Sequence, residues 1–439
     1  MPRQQPIHRL LILALLAALL PGCGTPDADE AMQSGAPEPT LTPPKTGLYQ
    51  ATISVPGGDI PFQLDISDSP AGLRAMIING DERIAVPAIT LNADRVQLAF
   101  PAFNNRIDAK VSENGLTGTL TLVKRYGKTQ VMPFSASAAP AIAQADDAQI
   151  NVSGRWAVEF VDEDAERTPA IGEFSQTGAT LTGTFLTETG DYRYLNGHVS
   201  GDELTLSTFD GAHAFLFRAT LREDTLSGQF WSGTEWLETW SGKRDDAAQL
   251  RDMQALTYLN PGFERLEFTF DNQYGQPVSL ADSRYEGKVV IVTLVGTWCP
   301  NCHDETQVMR ELYDRYHADG LEIIALMYEH LEDEQAAWQQ VEYFRDKFAL
   351  QYDTLLAGIS DKALAAETLP ALNHILAFPT AIFIDRNGAV RDIHTGFSGP
   401  GTGEHYTELV ATIDAKIQQL LAEPAGPSND TVAAITGAP

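Results

Sequence analysis

The stretch Val289–Val295 is aliphatic or β-branched at every position, and Trp298-Cys299-Pro300-Asn301-Cys302 follows it almost at once. A run without alternation leaves no face for water, so it reads as a strand buried on both sides in a parallel or mixed sheet. Such a strand needs helices to cover it, and the pattern after the cysteines supplies them. Val308, Leu312 and Tyr316 recur every four residues, one stripe of a helix that Gly320 ends. Residues 321–327 are the next buried strand, and residues 332–348 are helical again, with Trp338, Val341 and Phe348 among the apolar positions. Residues 381–384, the turn Asp385-Arg386-Asn387-Gly388 and Ala389-Val390 read as a hairpin, and a last helix covers roughly residues 405–422. A short strand at 268–270 leads in, and the Ala/Leu-rich residues 360–376 read as an inserted helix near the active-site rim. This order predicts a three-layer α/β domain with a mixed sheet over residues 264–423.

Upstream the period changes to two. Tyr49, Ala51, Ile53 and Val55 alternate, as do Trp156, Val158 and Phe160, and then Phe215, Phe217, Ala219 and Leu221. Alternation puts one face on a core and the other in water. Turns at Asn79-Gly80, Asn114-Gly115, Thr189-Gly190 and Asp210-Gly211 punctuate the runs. Residues 46–134 and 151–243 are therefore expected to be two all-β units, each a small barrel or sandwich. They resemble a duplication: Gly47-x-Tyr49 matches Gly154-x-Trp156, and Ala109, Leu116 and Gly118 match Ala219, Leu226 and Gly228. The phrase Leu-Thr-Gly-Thr occurs at residues 116–119 and 181–184, with Leu-Ser-Gly at 226–228. Trp231, Trp236 and Trp240 are expected to pack the second unit's core, with an aromatic docking surface as the alternative. Linkers are expected at 135–150 and 244–263, and a flexible tail at 424–439.

The N-terminus reads as a targeting segment. Arg3 and Arg9 precede an apolar run at residues 10–20 made only of Leu, Ile and Ala. The run is short for a membrane span, which needs about 20 residues. Leu20-Pro21-Gly22-Cys23 resembles the lipobox of bacterial lipoproteins, with Pro21 an unusual occupant of its place. That resemblance implies a signal peptide at 1–22 and lipidation of Cys23. Gly24, rather than Asp, follows the cysteine, which favours the outer membrane if the cell is Gram-negative. Residues 23–45, rich in Pro, Ala, Gly, Thr and acidic residues, read as a disordered tether. The chain has three cysteines, so a lipidated Cys23 leaves only Cys299 and Cys302, and export makes disulfide chemistry permissible. A net charge of -29 argues against a nucleic-acid partner.

Cys299 and Cys302 sit where a buried strand turns into a helix. Cys299 then faces unpaired backbone N–H groups and the positive end of the helix, an environment that favours thiolate, the attacking species in disulfide exchange. Cys302 lies one turn along and further inside, where it can displace a mixed disulfide. Pro300 fits the first helical turn, and Trp298 is a flat lid beside the sulfur. Two thiolates with His303 could instead hold Cu(I), whereas a closed zinc site would need four ligands. Inert structural cysteines are the remaining alternative.

Residues 264–423 resemble the thioredoxin-like superfamily, and within it the membrane-tethered reductases of the TlpA/ResA type. The residues that carry the resemblance are Gly275-x-Pro277-Val278-Ser279-Leu280, Gly287-Lys288-Val289-Val290, Trp298-Cys299-Pro300-Asn301-Cys302, Phe378-Pro379-Thr380, Phe383-Ile384-Asp385-Arg386-Asn387-Gly388 and Gly396. It does not extend to the β units, and Val295-Gly296-Thr297 departs from the aromatic more usual before the motif. The resemblance implies that Cys299 is an exposed nucleophile, Cys302 the resolving thiol and Pro379 a cis-proline facing them, with Asn301, Phe378 and Thr380 around the site. It also implies a buried proton-transfer role for Glu305, for which a first-turn acid is the plainer reading. His303 reads as a surface residue able to tune Cys299.

The expected function is reductive dithiol exchange with exported cysteine-containing proteins, using electrons from a membrane donor and no cofactor beyond the dithiol. An oxidase or isomerase would use the same residues. A non-catalytic binding or assembly lipoprotein is the alternative of another class, and a peroxidase lacks its usual Pro-x-x-x-Thr-x-x-Cys phrase.

Overall fold

The computed structural model describes residues 41–138 and 147–424. The expected signal peptide, Cys23, most of the expected tether, part of the expected linker at 135–150 and nearly all of the expected tail lie outside the described residues. No helix among the described residues is long and apolar enough to cross a membrane.

The two β-rich regions resolve into two related forms. In the first, nine strands run as an antiparallel meander from Gly47–Val55 to Thr129–Ser137, and the first strand pairs with both the second and the last. Glu82–Ala85 and Ala88–Asn92 form its two edges, so the sheet is a half-barrel. In the second, Gly154–Val161 likewise pairs with Arg167–Thr177 and with the last strand, Trp236–Arg244. There Arg167–Thr177 also pairs with Thr180–Thr187, and the sheet closes into an eight-stranded barrel.

The repeated phrases have physical reasons. Tyr49 donates its hydroxyl to the Lys45 carbonyl (2.7 Å), and Trp156 donates its indole N–H to the Val152 carbonyl (2.9 Å), each four residues back. In the Leu-Thr-Gly and Leu-Ser-Gly phrases the leucine is buried and a neighbouring strand crosses over the glycine. A Cβ on Gly118 or Gly228 would lie 1.9 Å from a carbonyl oxygen of the adjacent strand. Only glycine permits that approach.

The cores differ. The barrel fills itself with its own rings, Phe160, Phe185, Phe217, Phe230 and Trp240, with Phe217 and Phe230 stacked at 4.3 Å. The half-barrel borrows Phe209, Ala214 and Leu216 from the barrel to complete its core. The three tryptophans expected to pack one core therefore diverge. Trp240 is buried in the barrel, Trp231 packs against the half-barrel beside Gly57, and Trp236 is 49% exposed.

The C-terminal domain carries a five-stranded mixed sheet in the order Asp353–Ile359, Leu321–Glu329, Val289–Val295, Thr380–Ile384, Val390–Thr395. The first three strands are parallel, and Thr380–Ile384 runs antiparallel to both of its neighbours. Every residue of Val289–Val295 is buried, as its unbroken apolar run requires. The helices are α1 (Pro300–Tyr316), α2 (Glu334–Phe348), α3 (Lys362–Thr368) and α4 (Glu404–Ala422). Val308, Met309 and Leu312 of α1, Val341 and Phe344 of α2, and Ile413 and Ile417 of α4 join the sheet in one core. The inserted helix is shorter than expected. It spans one to two turns from its Asp361 cap and ends at Thr368, before Pro370.

Candidate active site

The buried central strand ends at Val295, and residues 296–299 turn the chain into α1. Cys299 is the N-cap of that helix, with extended backbone, and its Sγ accepts the Cys302 amide at 3.2 Å. The same sulfur lies 3.4 Å from the Phe378 carbonyl, to which its thiol donates. The Phe378–Pro379 peptide is cis, and the Phe378 carbonyl that precedes it is the one facing Cys299. Pro300 occupies the first helical turn, where it removes an N–H that would have no partner. The two sulfurs are unbonded to each other.

Cys302 is fully buried. Burial, and then the neighbouring Cys299 sulfur, push its thiol well above its ordinary pKa. Glu305, one turn along α1, is also buried, and neither of its carboxyl oxygens has a hydrogen-bond partner among the described residues. Burial alone raises its pKa to about 8. When ionised, its carboxylate raises the Cys302 thiol pKa further.

Around this pair, Trp298 donates its indole N–H to the Tyr328 carbonyl (2.8 Å), stacks on His330 at 4.3 Å and meets Phe378 edge-on. Asn301 donates its amide to the Phe397 carbonyl (3.1 Å), and Thr380 donates its hydroxyl to the Ala377 carbonyl (2.8 Å).

Two expectations need correction. Cys299 is not an exposed nucleophile: it is 6% accessible. His303 is not a surface residue. Its ring stacks on Phe103 of the half-barrel at 4.6 Å, with Nε2 2.7 Å from the Thr297 carbonyl and Nδ1 2.8 Å from Lys347 Nζ. Burial and Lys347 hold it well below the ordinary histidine pKa. Both ring nitrogens are engaged, so His303 as placed is no third ligand for copper.

Sequence reasoning missed Glu329. It lies at the end of a central strand, inside the acidic stretch Glu329-His-Leu-Glu-Asp-Glu334, where one carboxylate looks like another. It is buried, accepts both the Thr297 amide (3.0 Å) and the Thr297 hydroxyl (2.6 Å), and burial raises its pKa to about 7. Through Thr297 it fixes the turn that presents Trp298 and Cys299. His330 was missed as well. Burial, with Lys124 and Arg125 of the half-barrel nearby, lowers its pKa to about 3, so a neutral ring backs Trp298.

A helix-capping thiol, a buried partner thiol three residues on and a cis-proline opposite them define a thioredoxin-like dithiol site. Comparison with known proteins agrees. The Redoxin family profile matches residues 261–409. The thiol-disulfide oxidoreductase ResA of Halalkalibacterium halodurans is 30% identical over 149 residues, 34% of this chain and 76% of that protein. The thioredoxin-like protein YneN of Bacillus subtilis is 28% identical over 138 residues, 31% of this chain and 73% of that protein. A solved thiol:disulfide interchange protein from Chlorobium tepidum aligns with 36% of this chain and 96% of its own, at 20% identity and a TM-score of 0.28. Through its C-terminal domain the chain belongs to the family of ResA-type thiol-disulfide oxidoreductases. The half-barrel and the barrel lie outside the Redoxin match.

Proposed function

We propose that the chain is a lipid-anchored oxidoreductase that reduces disulfides in exported proteins, with Cys299 as nucleophile and Cys302 as resolving thiol. The observation that carries the reading is the sulfur of Cys299 at the α1 N-cap, held by the Cys302 amide and facing the Phe378 carbonyl. Cys299 attacks one sulfur of a substrate disulfide as the thiolate, the attacking species in disulfide exchange. The substrate S–S bond breaks, its leaving sulfur takes a proton, and a mixed disulfide forms. Cys302 then gives its proton to the ionised form of Glu305 and attacks the Cys299 sulfur; the second substrate sulfur leaves, takes a proton and departs as a thiol while Cys299–Cys302 closes. Two electrons pass to the substrate, and a dithiol donor at the membrane returns them with two protons. Trp298, Pro300, Asn301, Phe378, Pro379 and Thr380 shape the surface on which the exchange occurs.

Cys23, lipidated after removal of residues 1–22, holds the protein at the periplasmic side of the membrane, the outer one if the cell is Gram-negative. More than one acyl chain is needed for stable anchoring, at about 0.8 kcal/mol per buried CH₂. The proposed units are residues 46–134, 151–243 and 264–423, joined by linkers at 135–150 and 244–263.

The test combines two variants and one potential. Cys299→Ser abolishes disulfide reduction, and Cys302→Ser accumulates mixed disulfides with exported proteins in cells. A reduction potential near the ~-270 mV of thioredoxin supports the reductive direction, and one near ~-120 mV reverses it to oxidase. Undiminished reduction by Cys299→Ser would sink the proposal outright.

A further inference from the structure

A thiol that exchanges with proteins must be touched by them, yet nearly the whole face around Cys299 is covered. Cys299, Asn301 and Phe378 are 6%, 8% and 7% accessible, Phe397 is fully buried, and Pro300, Pro379 and Gly396 are buried with them. Trp298 alone in this set is half-buried.

The two β units pack on the rim of this face. From the barrel, the backbone at Thr189 lies so close to Gly396 that a Cβ there would be 2.9 Å from the Thr189 carbonyl carbon. A Cβ on Gly190 would lie 2.6 Å from the Asn301 amide nitrogen. Asp191 accepts the Gly399 amide. From the half-barrel, Phe103 lies on His303, the Tyr126 amide donates to the His330 carbonyl (2.8 Å), and Arg125 pairs with Asp361 (2.8 Å). The barrel thus sits beyond Asn301 and Gly396, and the half-barrel packs behind Trp298 and over His303.

One side chain ties the three domains together. Arg193 of the barrel pairs with Asp304 of α1, two residues after Cys302, with Glu82 of the half-barrel at 2.8 Å, and with Asp210 of its own barrel at 3.4 Å. The Arg193 side chain is 13% exposed, and Asp304, Glu82 and Asp210 are 16%, 6% and 2% exposed. Three carboxylates with little water around them repel one another unless the guanidinium lies between them.

We infer that the half-barrel and the barrel act as a substrate filter for the dithiol, passing small or thin extended disulfides over Trp298 and excluding disulfides held on a bulky folded surface, with Arg193 as the positioning residue that keeps the filter closed. The inference rests on the proposed dithiol function for its meaning, but the cover itself is testable without turnover.

The test uses the full chain. In a Cys302→Ser background, the rate of modification at Cys299 is followed by peptide mapping with N-ethylmaleimide and with the same maleimide carried on a bulky polymer. In the parent, the polymer reagent is expected to be slower by about tenfold or more than the small one. Arg193→Leu and Phe103→Ala, each in a different β unit and outside the dithiol domain, are expected to remove most of that gap, the scale set by breaking a buried ion pair. The rate with N-ethylmaleimide stays within about twofold, and a cooperative melt is retained. With Cys302 restored and dithiothreitol as reductant, both variants gain insulin reduction while reduction of bis(2-hydroxyethyl) disulfide holds steady.

Equal rates for the two maleimides in the parent would overturn the filter. So would a gap that both variants leave intact, or one that closes only where the cooperative melt is lost. If the gap behaves as expected but the parent reduces no small disulfide, the filter stands and the proposed activity falls.

Discussion

Two carboxylic acids flank the dithiol at equal depth and do opposite things. Glu305 lies beneath Cys302 with neither oxygen hydrogen-bonded among the described residues, whereas Glu329 lies beside the Thr297 turn with both oxygens accepting from Thr297. Burial raises both, to about 8 and about 7. Burial alone therefore does not separate a group that moves protons from one that holds a loop, but partnering does. A partnered acid is fixed by what it bonds, and removing it orphans those groups. An unpartnered acid costs stability where it stands, so its presence beside a thiol that must lose a proton is best explained by that proton.

The harshest way to break this contrast is to truncate the partnered acid. Glu329→Ala leaves the Thr297 amide and hydroxyl buried without acceptors, at an expected loss of about 3 kcal/mol. Urea unfolding at pH 6 measures it. A loss under about 0.5 kcal/mol would mean that Glu329 does not hold the turn.

The next effect is kinetic and belongs to Glu305. Glu305→Leu removes the acceptor for the Cys302 proton, and closure of the mixed disulfide should slow on the order of a hundredfold, the low end for a positioned base. Rapid-mixing kinetics isolates that step, with attack by Cys299 left unchanged as the internal control. The same variant should be more stable than the parent by about 1–2 kcal/mol, because an unpaired polar group leaves the core. A variant that is slower but also less stable would favour a structural role.

How much of this was visible in the residues alone follows from distance along the chain. The dithiol, its helix cap, the hairpin at Thr380–Ile384 and Val390–Thr395, and α4 rest on patterns a few residues long, which sequence displays directly. Pro379 required the resemblance, since nothing local distinguishes it from a turn marker. Glu329 and His303 were illegible because their burial is decided by partners far away: Thr297 lies 32 residues from Glu329, and Phe103 belongs to another domain. Alternation located both β units but not their closure, since the half-barrel completes its core with Phe209, Ala214 and Leu216 from its neighbour. The crowding of both units onto the dithiol face likewise depends on contacts such as Arg193–Asp304, 111 residues apart, which no periodicity encodes.

A third measurement sharpens the contrast through pH. An acid whose folded pKa lies above its unfolded one keeps a proton in the native state that the unfolded chain has already released. The native state then binds more protons, so stability is full below the unfolded value of 4.5 and declines as pH rises toward the folded one. Each such group contributes a limiting slope of about 1.4 kcal/mol per pH unit. Glu329 stops contributing near pH 7, and Glu305 continues to about pH 8. Unfolding free energies at closely spaced pH values should therefore decline between pH 7 and 8 in the parent, and that segment should flatten in Glu305→Leu. An unchanged slope there would mean that Glu305 is already ionised in the native state.

The smallest expected effect is the most discriminating, because it asks whether Glu329 matters as a charge or as an acceptor. Glu329→Gln keeps a carbonyl oxygen for the Thr297 amide and a side-chain amide within reach of the Thr297 hydroxyl, which can accept as well as donate. At pH 6 the parent acid is largely protonated, since its pKa is about 7, so the glutamine replaces one neutral group with another. The change in stability there should be within about 0.5 kcal/mol. At pH 8 the parent holds a buried anion and the variant does not, so relative to pH 6 the comparison shifts in favour of the glutamine by about 1 kcal/mol, most of it accrued between pH 6 and 7 as Glu329 ionises. Parallel stability curves across that range would place the charge of Glu329 in the fold itself, and the distinction between a loop-holding acid and a proton-carrying one would then rest on Glu305 alone.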